Sequence, residues 1–180
     1  MKTANKVLAI VLCAIMMMCI AGCQQKDSAS LLPFGLEFGD DYEDTKNEID
    51  IGKLRDSSAN DGYVSYRKII SEEEKVTQIL GTSDGISEVS IALAFNAEKK
   101  LYEFYCFFTV ENDKLSKTND IIRQKFNKIA GEEENEPNGI ALWINEKYVI
   151  DYFCENRYEA FLGEDASCVI CIHSYEFDFE

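Results

Sequence analysis

The sequence predicts an α+β domain in which one antiparallel sheet of about six strands is covered on one face by two helices. Ile86–Phe95 alternates apolar residues with small or polar ones, and after a short turn Leu101–Val110 forms a second strand-like run. This pattern is typical of a β-hairpin. Leu115–Ala130 instead repeats its apolar residues along one helical stripe. Helices followed by runs of strands favour a sheet with its helices on one face.

The remaining elements follow from periodicity and turn residues. In order, the sequence predicts a short edge strand at 36–38, a helix at 41–50, strands at 63–70, 75–81, 86–95 and 101–110, the helix at 115–130, and strands at 140–144, 147–154 and 167–179. The stretch 157–162 is a further short strand or an irregular segment. Residues 72–74, all glutamate, are typical of a solvated turn between two strands.

Helix ends are marked by capping residues. Asp40 and Glu43 have the spacing of a capping box before the first helix. The second helix has three candidate caps at its start, and Gly131 follows its last residue as a C′ glycine. The candidate caps are Asp113, Ser116 and Thr118.

An export signal precedes this domain. Lys2 and Lys6 form a basic start, residues 7–20 are an uncharged apolar run, and Ala21-Gly22 stands directly before Cys23. A basic start, a short apolar core and small residues at the end describe a secretory signal. The run is shorter than the roughly 20 residues that a membrane-spanning helix needs.

Ile20-Ala21-Gly22-Cys23 resembles the lipobox of bacterial lipoproteins. The resemblance implies that Cys23 receives a diacylglyceryl group, that the chain is cut before it, and that the protein is lipid-anchored outside the cytoplasmic membrane. The organisation is then a signal peptide at 1–22, a lipidated cysteine and polar tether at 23–30, and a single domain at 31–180. An ordinary signal peptide with an incidental cysteine and an uncleaved anchor are the alternatives.

Charge narrows the range of partners. Removal of residues 1–22 takes Lys2 and Lys6 from 18 basic side chains and leaves all 33 acidic ones, for a net charge of about −17. This negative charge argues against binding of the domain surface to nucleic acid or to anionic lipid. It is compatible with a basic partner, with a cation or with solubility alone.

Four cysteines follow the signal, namely Cys106, Cys154, Cys168 and Cys171. Exported proteins form disulfides. On an extended strand, Cys168 and Cys171 are separated by roughly 10 Å and point to opposite faces, whereas a disulfide needs Cα atoms within about 7 Å. We therefore expect no bond between these two. A bond from either of them to Cys106 or Cys154 stays open, as does simple burial as small apolar residues.

The sequence predicts no catalytic residue, no cofactor and no metal ion. His173, the chain's one histidine, shares a strand face with Cys171, but strand geometry places them about 7 Å apart. Half of a zinc site, completed by Cys106 or Cys154, is an alternative to a hydrogen-bonded strand histidine. Asp56, Ser58 and Asn60 have calcium-loop spacing, yet Asp61 and Arg67 occupy the positions that need glycine and an acid.

Aromatic residues are the remaining feature of the sequence that could indicate a function. The pattern places Tyr102, Phe104 and Phe108 with Cys106 on one face of their strand, and Tyr105 and Phe107 on the other; further rings are Trp143, Tyr148 and Tyr152. We expect most of these rings to fill the core. On the sheet face that the helices leave uncovered, the others would form a binding surface for a protein or glycan. The predicted function is a non-enzymatic binding lipoprotein. The alternative is an enzyme, or an accessory to one, that acts on cell-envelope material.

The element order, helix then strands and again helix then strands, resembles the tandem helix-plus-meander architecture of some envelope lipoproteins and secreted protease or lactamase inhibitors. The run PFGLEFGDDYEDTKNEI at 33–49 is similar to the start of uncharacterised bacterial lipoproteins. The resemblance implies a degenerate α-β-β-β repeat and carries over no functional residue.

Overall fold

The computed structural model describes residues 31–49, 57–58, 64–135, 140–155 and 165–177. These residues form one antiparallel eight-stranded sheet in the order β1-β2-β3-β4-β8-β7-β6-β5. The strands are β1 (Ser57–Ser58), β2 (Val64–Ile69), β3 (Ile86–Phe95), β4 (Leu101–Val110), β5 (Glu134–Asn135), β6 (Ala141–Ile144), β7 (Tyr148–Glu155) and β8 (Ala166–Ser174). The helices are α1 (Tyr42–Ile49), α2 (Glu73–Leu80) and α3 (Leu115–Ala130). The predicted α+β class is confirmed, and the six strands longer than two residues form the body of the sheet.

The two halves of the chain meet at the centre of the sheet. Strands β1 to β4 follow one another in space as a meander, and β5 to β8 do the same from the opposite edge. The junction is the antiparallel pair β4–β8, in which Cys106 lies opposite Ile170. Each half therefore supplies one contiguous side of the sheet, preceded in each case by a helix.

The core lies between the helices and one face of the sheet, which we call the helix face. The Tyr42 ring of α1 packs against Phe95 at 5.4 Å between centroids. Phe126 of α3 packs against Trp143 at 5.3 Å, and the Trp143 indole donates a 2.7 Å hydrogen bond to Asn127 Oδ1. All three helices supply residues to the buried core.

The hairpin of β3 and β4 pairs as predicted. The apolar residues of the β3 alternation are all buried, namely Val89, Ile91, Leu93 and Phe95. Within this core, the Phe95 ring contacts Tyr42 of α1, and Phe126 of α3 contacts Trp143 of β6. Which helix contacts which strand depends on the order of the strands in the sheet. The apolar patterns of β3 and α3 alone do not specify it.

The strand predicted at 75–81 is wrong, because the chain there forms α2. Val76, Ile79 and Leu80 have helical spacing and are buried together. Gly81 ends the helix in the left-handed conformation with φ of 84° and donates its N–H to the Thr77 carbonyl. The predicted acidic turn supplies the first turn of this helix, where negative charge is favourable.

Lys125 of α3 supports the end of α2. Its ammonium donates hydrogen bonds to the carbonyls of Gln78, at 3.1 Å, and Ile79. A cation at this end satisfies carbonyls that lack a helical partner and interacts favourably with the helix dipole. Burial lowers the pKa of Lys125. This long-range cap helps explain why the local sequence alone suggested a strand.

The edge strand predicted at 36–38 is also wrong. A 3-10 turn forms at Pro33–Gly35, where the fixed φ of proline suits the first helical position. In the next turn, at residues 37–40, the Asp40 carboxylate accepts a 2.8 Å hydrogen bond from the Glu37 N–H. At Gly39, with φ of 90°, a Cβ would lie 2.6 Å from the Phe177 ring. Glycine there permits the N-terminal segment to pack against residues 175–177.

The bounds of α3 are confirmed, but its predicted caps are not. The residue before Leu115 is Lys114, which makes no side-chain capping bond, and Thr118 is buried within the helix. Gly131 ends the helix as predicted, with positive φ and an N–H bonded to the Asn127 carbonyl. The last strand ends at Ser174 rather than 179, and the segment predicted at 157–162 lies outside the described residues.

Candidate binding surface

The face of the sheet opposite the helices is the candidate functional surface, and we call it the open face. Directly opposed residues of antiparallel strands point to the same side, so the strand register defines three rows across this face. The first row contains Ser90, Phe107, Val169 and Phe153; the second contains Ala92, Tyr105, Cys171, Asp151 and Leu142; the third contains Ala94, Glu103, His173, Val149 and Ile144. The open face therefore mixes rings and aliphatic residues with two carboxylates, a thiol and an imidazole.

Arg67 holds the aromatic part of this face in place. Its guanidinium carbon lies 5.3 Å from the centre of the Phe107 ring, and Nη2 donates a 2.9 Å hydrogen bond to Ser90 Oγ. The Phe107 and Tyr105 rings stack at 5.9 Å with 12° between their planes. Cation–π contact and stacking restrict these side chains, so they form a preorganised, half-exposed platform.

Glu103 organises the polar part of the face. Its Oε1 lies 3.4 Å from His173 Nδ1 and accepts a 3.8 Å contact from Cys171 Sγ. The His173 ring is flanked edge-on by Tyr102, at 5.8 Å, and by Tyr175, at 5.9 Å. Cys171 and His173 lie on the same face of β8, as predicted, and the Glu103 carboxylate contacts both of them.

This cluster is poorly suited to nucleophilic chemistry. Burial, followed by the Glu103 and Asp151 carboxylates, raises the pKa of Cys171 to about 12. Burial and the Glu103 hydrogen bond raise the pKa of Tyr105 as well. Because the thiolate is the reactive form, Cys171 is held as an unreactive thiol. In the described part of the chain, no group of three or more His, Cys, Asp or Glu side chains is arranged to hold a metal ion.

A groove of about 300 Å³ lies on the open face over the middle of β7 and β8. Its lining residues are Ile140, Asp151, Phe153, Val169 and Cys171. Three of the five residues are apolar, and although Cys171 and Asp151 also line the groove, its surface is almost wholly apolar. The volume is at the lower end of the range for small-ligand sites, so the groove accommodates a side chain more readily than a large molecule.

The cysteines divide between the two faces. Cys154 and Cys168 are directly opposed on β7 and β8 and form a disulfide, which resolves one of the pairings that the sequence left open. The prediction that Cys168 and Cys171 are not bonded to each other is confirmed. Cys106 is a free, buried thiol on the helix face, and burial raises its pKa to about 12.

The predicted aromatic faces are confirmed except at Tyr102. Phe104 and Phe108 are buried with Cys106 on the helix face, whereas the Tyr102 ring contacts His173 of the open face. A register shift between Ala94 and Phe95 places Leu101 opposite Phe95. Tyr102 is therefore the extra residue of a bulge, which re-aims its side chain.

Trp143 and Tyr152 belong to the core rather than to a binding surface. Both are buried, and both bond to α3, through Asn127 and Asn119 respectively. Burial also raises the pKa of Tyr152. Sequence patterns did not predict a shared surface for Arg67, Glu103 and Asp151, because only the strand register brings them onto one face. The predicted lipidation site Cys23 and the calcium-loop positions Asp56 and Asn60 lie outside the described residues.

The chain matches no known family model, no curated protein and no solved structure. Helices in the described part of the chain are too short or too polar for any of them to cross a bilayer.

Proposed function

We propose that the protein is an extracytoplasmic lipoprotein, anchored to the bacterial cell membrane through Cys23, whose open face binds a protein or glycan without catalysing a reaction. The observation that carries the binding role is the Tyr105–Phe107 stack held by Arg67. Aromatic residues and arginine are enriched where proteins bind one another. A face exposed only to water has no need of preorganised, half-buried rings.

Two observations support the location. Ile20-Ala21-Gly22-Cys23 has the residue types and position of a lipoprotein processing site. Cys154 and Cys168 are bonded, and structural disulfides persist in oxidising compartments outside the cytoplasm. Two acyl chains on Cys23 would hold the protein stably, where a single chain gives marginal binding.

The chemistry of the open face favours binding over catalysis. The most nucleophilic side chain of the face, Cys171, has a pKa raised to about 12 by burial and two carboxylates. His173 is enclosed by Glu103 and two tyrosine rings. These groups form a fixed polar surface beside the aromatic platform.

Labelling with a fatty-acid probe tests the anchor. Cys23→Ser should abolish incorporation and leave an uncut precursor, because the thiol that accepts the lipid is gone. Cys19→Ser, four residues away inside the signal, is the matched control and should label like the native protein. Incorporation that persists in Cys23→Ser would contradict the anchor.

Site-specific photocrosslinking in the intact envelope tests the binding face. A benzoylphenylalanine at Phe107 keeps an aromatic ring in the platform, and the same residue at Gln124 samples an exposed position on α3. We expect a discrete adduct from position 107 and none from position 124. Equal adducts from both, or none from position 107, would show that the open face is not the binding surface.

A further inference from the structure

We propose that a cavity beside Leu31 binds one acyl chain of a zwitterionic phospholipid from the membrane to which the protein is anchored. The cavity has a volume of about 540 Å³ and lies where the N-terminal segment, the turn before β7 and the residues after β8 meet. Two of its lining residues, Tyr148 and Ser174, are paired on the helix face of the sheet, so the cavity is separate from the open face. The inference rests on the proposed anchor at Cys23 and adds a second contact with the membrane.

The lining and the volume of the cavity suit an acyl chain. Six of its ten lining residues are apolar or aromatic, namely Leu31, Leu32, Leu36, Phe38, Tyr148 and Phe177. The volume is within the range of about 300–1,000 Å³ that is usual for small-ligand sites. A methylene group fills about the volume of a water molecule, roughly 30 Å³, so 540 Å³ holds about 18 methylenes. This is room for one acyl chain and not for two.

Long-range contacts fix the walls of the cavity. The Tyr175 N–H donates a 2.9 Å hydrogen bond to the Lys147 carbonyl, and Asn96 Nδ2 donates one of 2.9 Å to the Phe177 carbonyl. The Phe177 ring also packs directly on Gly39, where a Cβ would have no room. Because these contacts join three separate parts of the chain, the cavity is already formed before a ligand enters.

The position of the cavity in the chain places it near the membrane. Leu31, a lining residue, is the first residue of the described domain, and Cys23 precedes it by eight positions. The sequence predicts a flexible tether between them, and seven residues of such a tether span about 15 Å. A lipid anchor at Cys23 therefore holds the cavity close to the bilayer surface. Phospholipid is present there at a high effective concentration, so a site of modest affinity is occupied.

The charged residues of the cavity favour a zwitterionic headgroup. Lys147, Glu37 and Glu176 line the cavity and are exposed, so they lie at its mouth, and none of them forms an ion pair with another described residue. A zwitterionic headgroup offers a phosphate to the lysine and an ammonium to the glutamates. An anionic headgroup lacks the cation, and the net charge of about −17 repels it.

Site-specific photocrosslinking tests this site in the full-length, lipidated protein. Benzoylphenylalanine at Phe38 places the probe in the cavity wall. The matched control is the same probe at Phe34, which is also partly buried, lies four positions closer to Cys23 and lines a different pocket. The protein is irradiated in vesicles of equal parts phosphatidylcholine and phosphatidylglycerol, and the mass of the intact protein shows which lipid is attached.

We expect phosphatidylcholine adducts from position 38, roughly tenfold more abundant than from position 34 and than phosphatidylglycerol adducts. Lys147→Gln should lower their yield severalfold, whereas Lys128→Gln, at an exposed position of α3, should not. Equal yields from positions 34 and 38 would mean that the probe reports only nearness to the bilayer and would overturn the proposal. Equal yields of the two lipids, or an unchanged yield in Lys147→Gln, would overturn it as well.

A second measurement uses the native sequence, in case the probe at Phe38 disturbs the fold. In nanodiscs of the same lipid mixture, phosphatidylcholine with a nitroxide on its acyl chain should broaden the methyl signals of Leu31 and Leu36, which line the cavity. The same label on phosphatidylglycerol should broaden them much less, because the bilayer and the anchor are unchanged and only the headgroup differs. Equal broadening by the two lipids would contradict the proposal. Fatty-acid labelling of Cys23 decides the anchor separately, so a labelled protein with no phospholipid adduct at position 38 refutes this inference alone.

Discussion

Removal of the Cys154–Cys168 disulfide should lower the free energy of unfolding by about 3 kcal/mol. The bond joins residues 14 apart in sequence, so it closes a loop of about 15 residues in the unfolded chain. Chain-entropy estimates give about 3 kcal/mol for a loop of that length. The strands β7 and β8 are paired from Tyr148 to Glu155, so we expect the native state to keep this ladder when the bond is removed and the effect to fall mainly on the unfolded state.

Urea unfolding of a chain that starts at Gln24 measures this change. Trp143 is the chain's single tryptophan and is fully buried beside Phe126, so its fluorescence reports loss of the core. The test compares the oxidised protein, the same protein with a reductant, and the Cys154→Ala/Cys168→Ala variant. Reduction should bring the native sequence close to the variant, and the reductant should leave the variant unchanged.

Two results would refute the reasoning. If the oxidised and reduced proteins unfold at the same urea concentration with the same slope, the bond does not constrain the unfolded chain. If the variant is destabilised but reduction of the native protein is not, the loss comes from repacking around Cys168, which is 1% exposed, and not from the cross-link.

Two further predictions follow from burial. Phe126→Ala should lower the free energy of unfolding by roughly 3–5 kcal/mol, because the ring is 2% exposed and packs on Trp143. The control Gln124→Ala, on the exposed side of α3, should change it by less than about 0.5 kcal/mol. A similarly small change for Phe126→Ala would contradict the core position of this ring. Folding raises the pKa of Cys106 and Cys171 from 9.0 to about 12. Between these two pKa values the unfolded chain has lost the thiol protons that the native protein still holds. The free energy of unfolding should therefore fall as the pH rises from about 9 to about 12. Iodoacetamide should accordingly label both thiols far faster in denaturant than in the native protein near pH 8, and fast native labelling of Cys171 would contradict its protonated state.

Elements with one strong pattern could be predicted closely from the sequence. The bounds of α3 and of the β3–β4 hairpin match because each carries a clear stripe or alternation and ends at a glycine or turn. The segment that became α2 has eight residues and mixes β-branched with helix-forming types, so its local pattern fits either structure. Lys125, which follows it by 45 residues, stabilises the helical end, and no local pattern contains that information.

The aromatic character of the candidate surface could be predicted from the sequence, but not which polar side chains lie beside the rings. Alternation in β4 correctly placed Tyr105 and Phe107 opposite the core. The position of Asp151 on the open face depends on the pairing of β7 with β8, and the position of Tyr102 depends on a bulge at one residue. Strand pairing across the sheet is a long-range property, so single-strand patterns do not determine which side chains meet.

The contrast between the two faces of the same strands supports the proposal that the open face is a binding surface. On the helix face, the row Leu93, Phe104, Ile172, Ile150 and Trp143 is apolar throughout and at most 1% exposed. On the open face, the side chain of Glu103 is 16% exposed and that of His173 is 20% exposed. Partial burial of ionisable groups costs desolvation free energy that a merely solvated face would avoid by projecting such groups fully into water. Partly buried ionisable groups beside half-buried rings therefore support the proposed binding role of the open face.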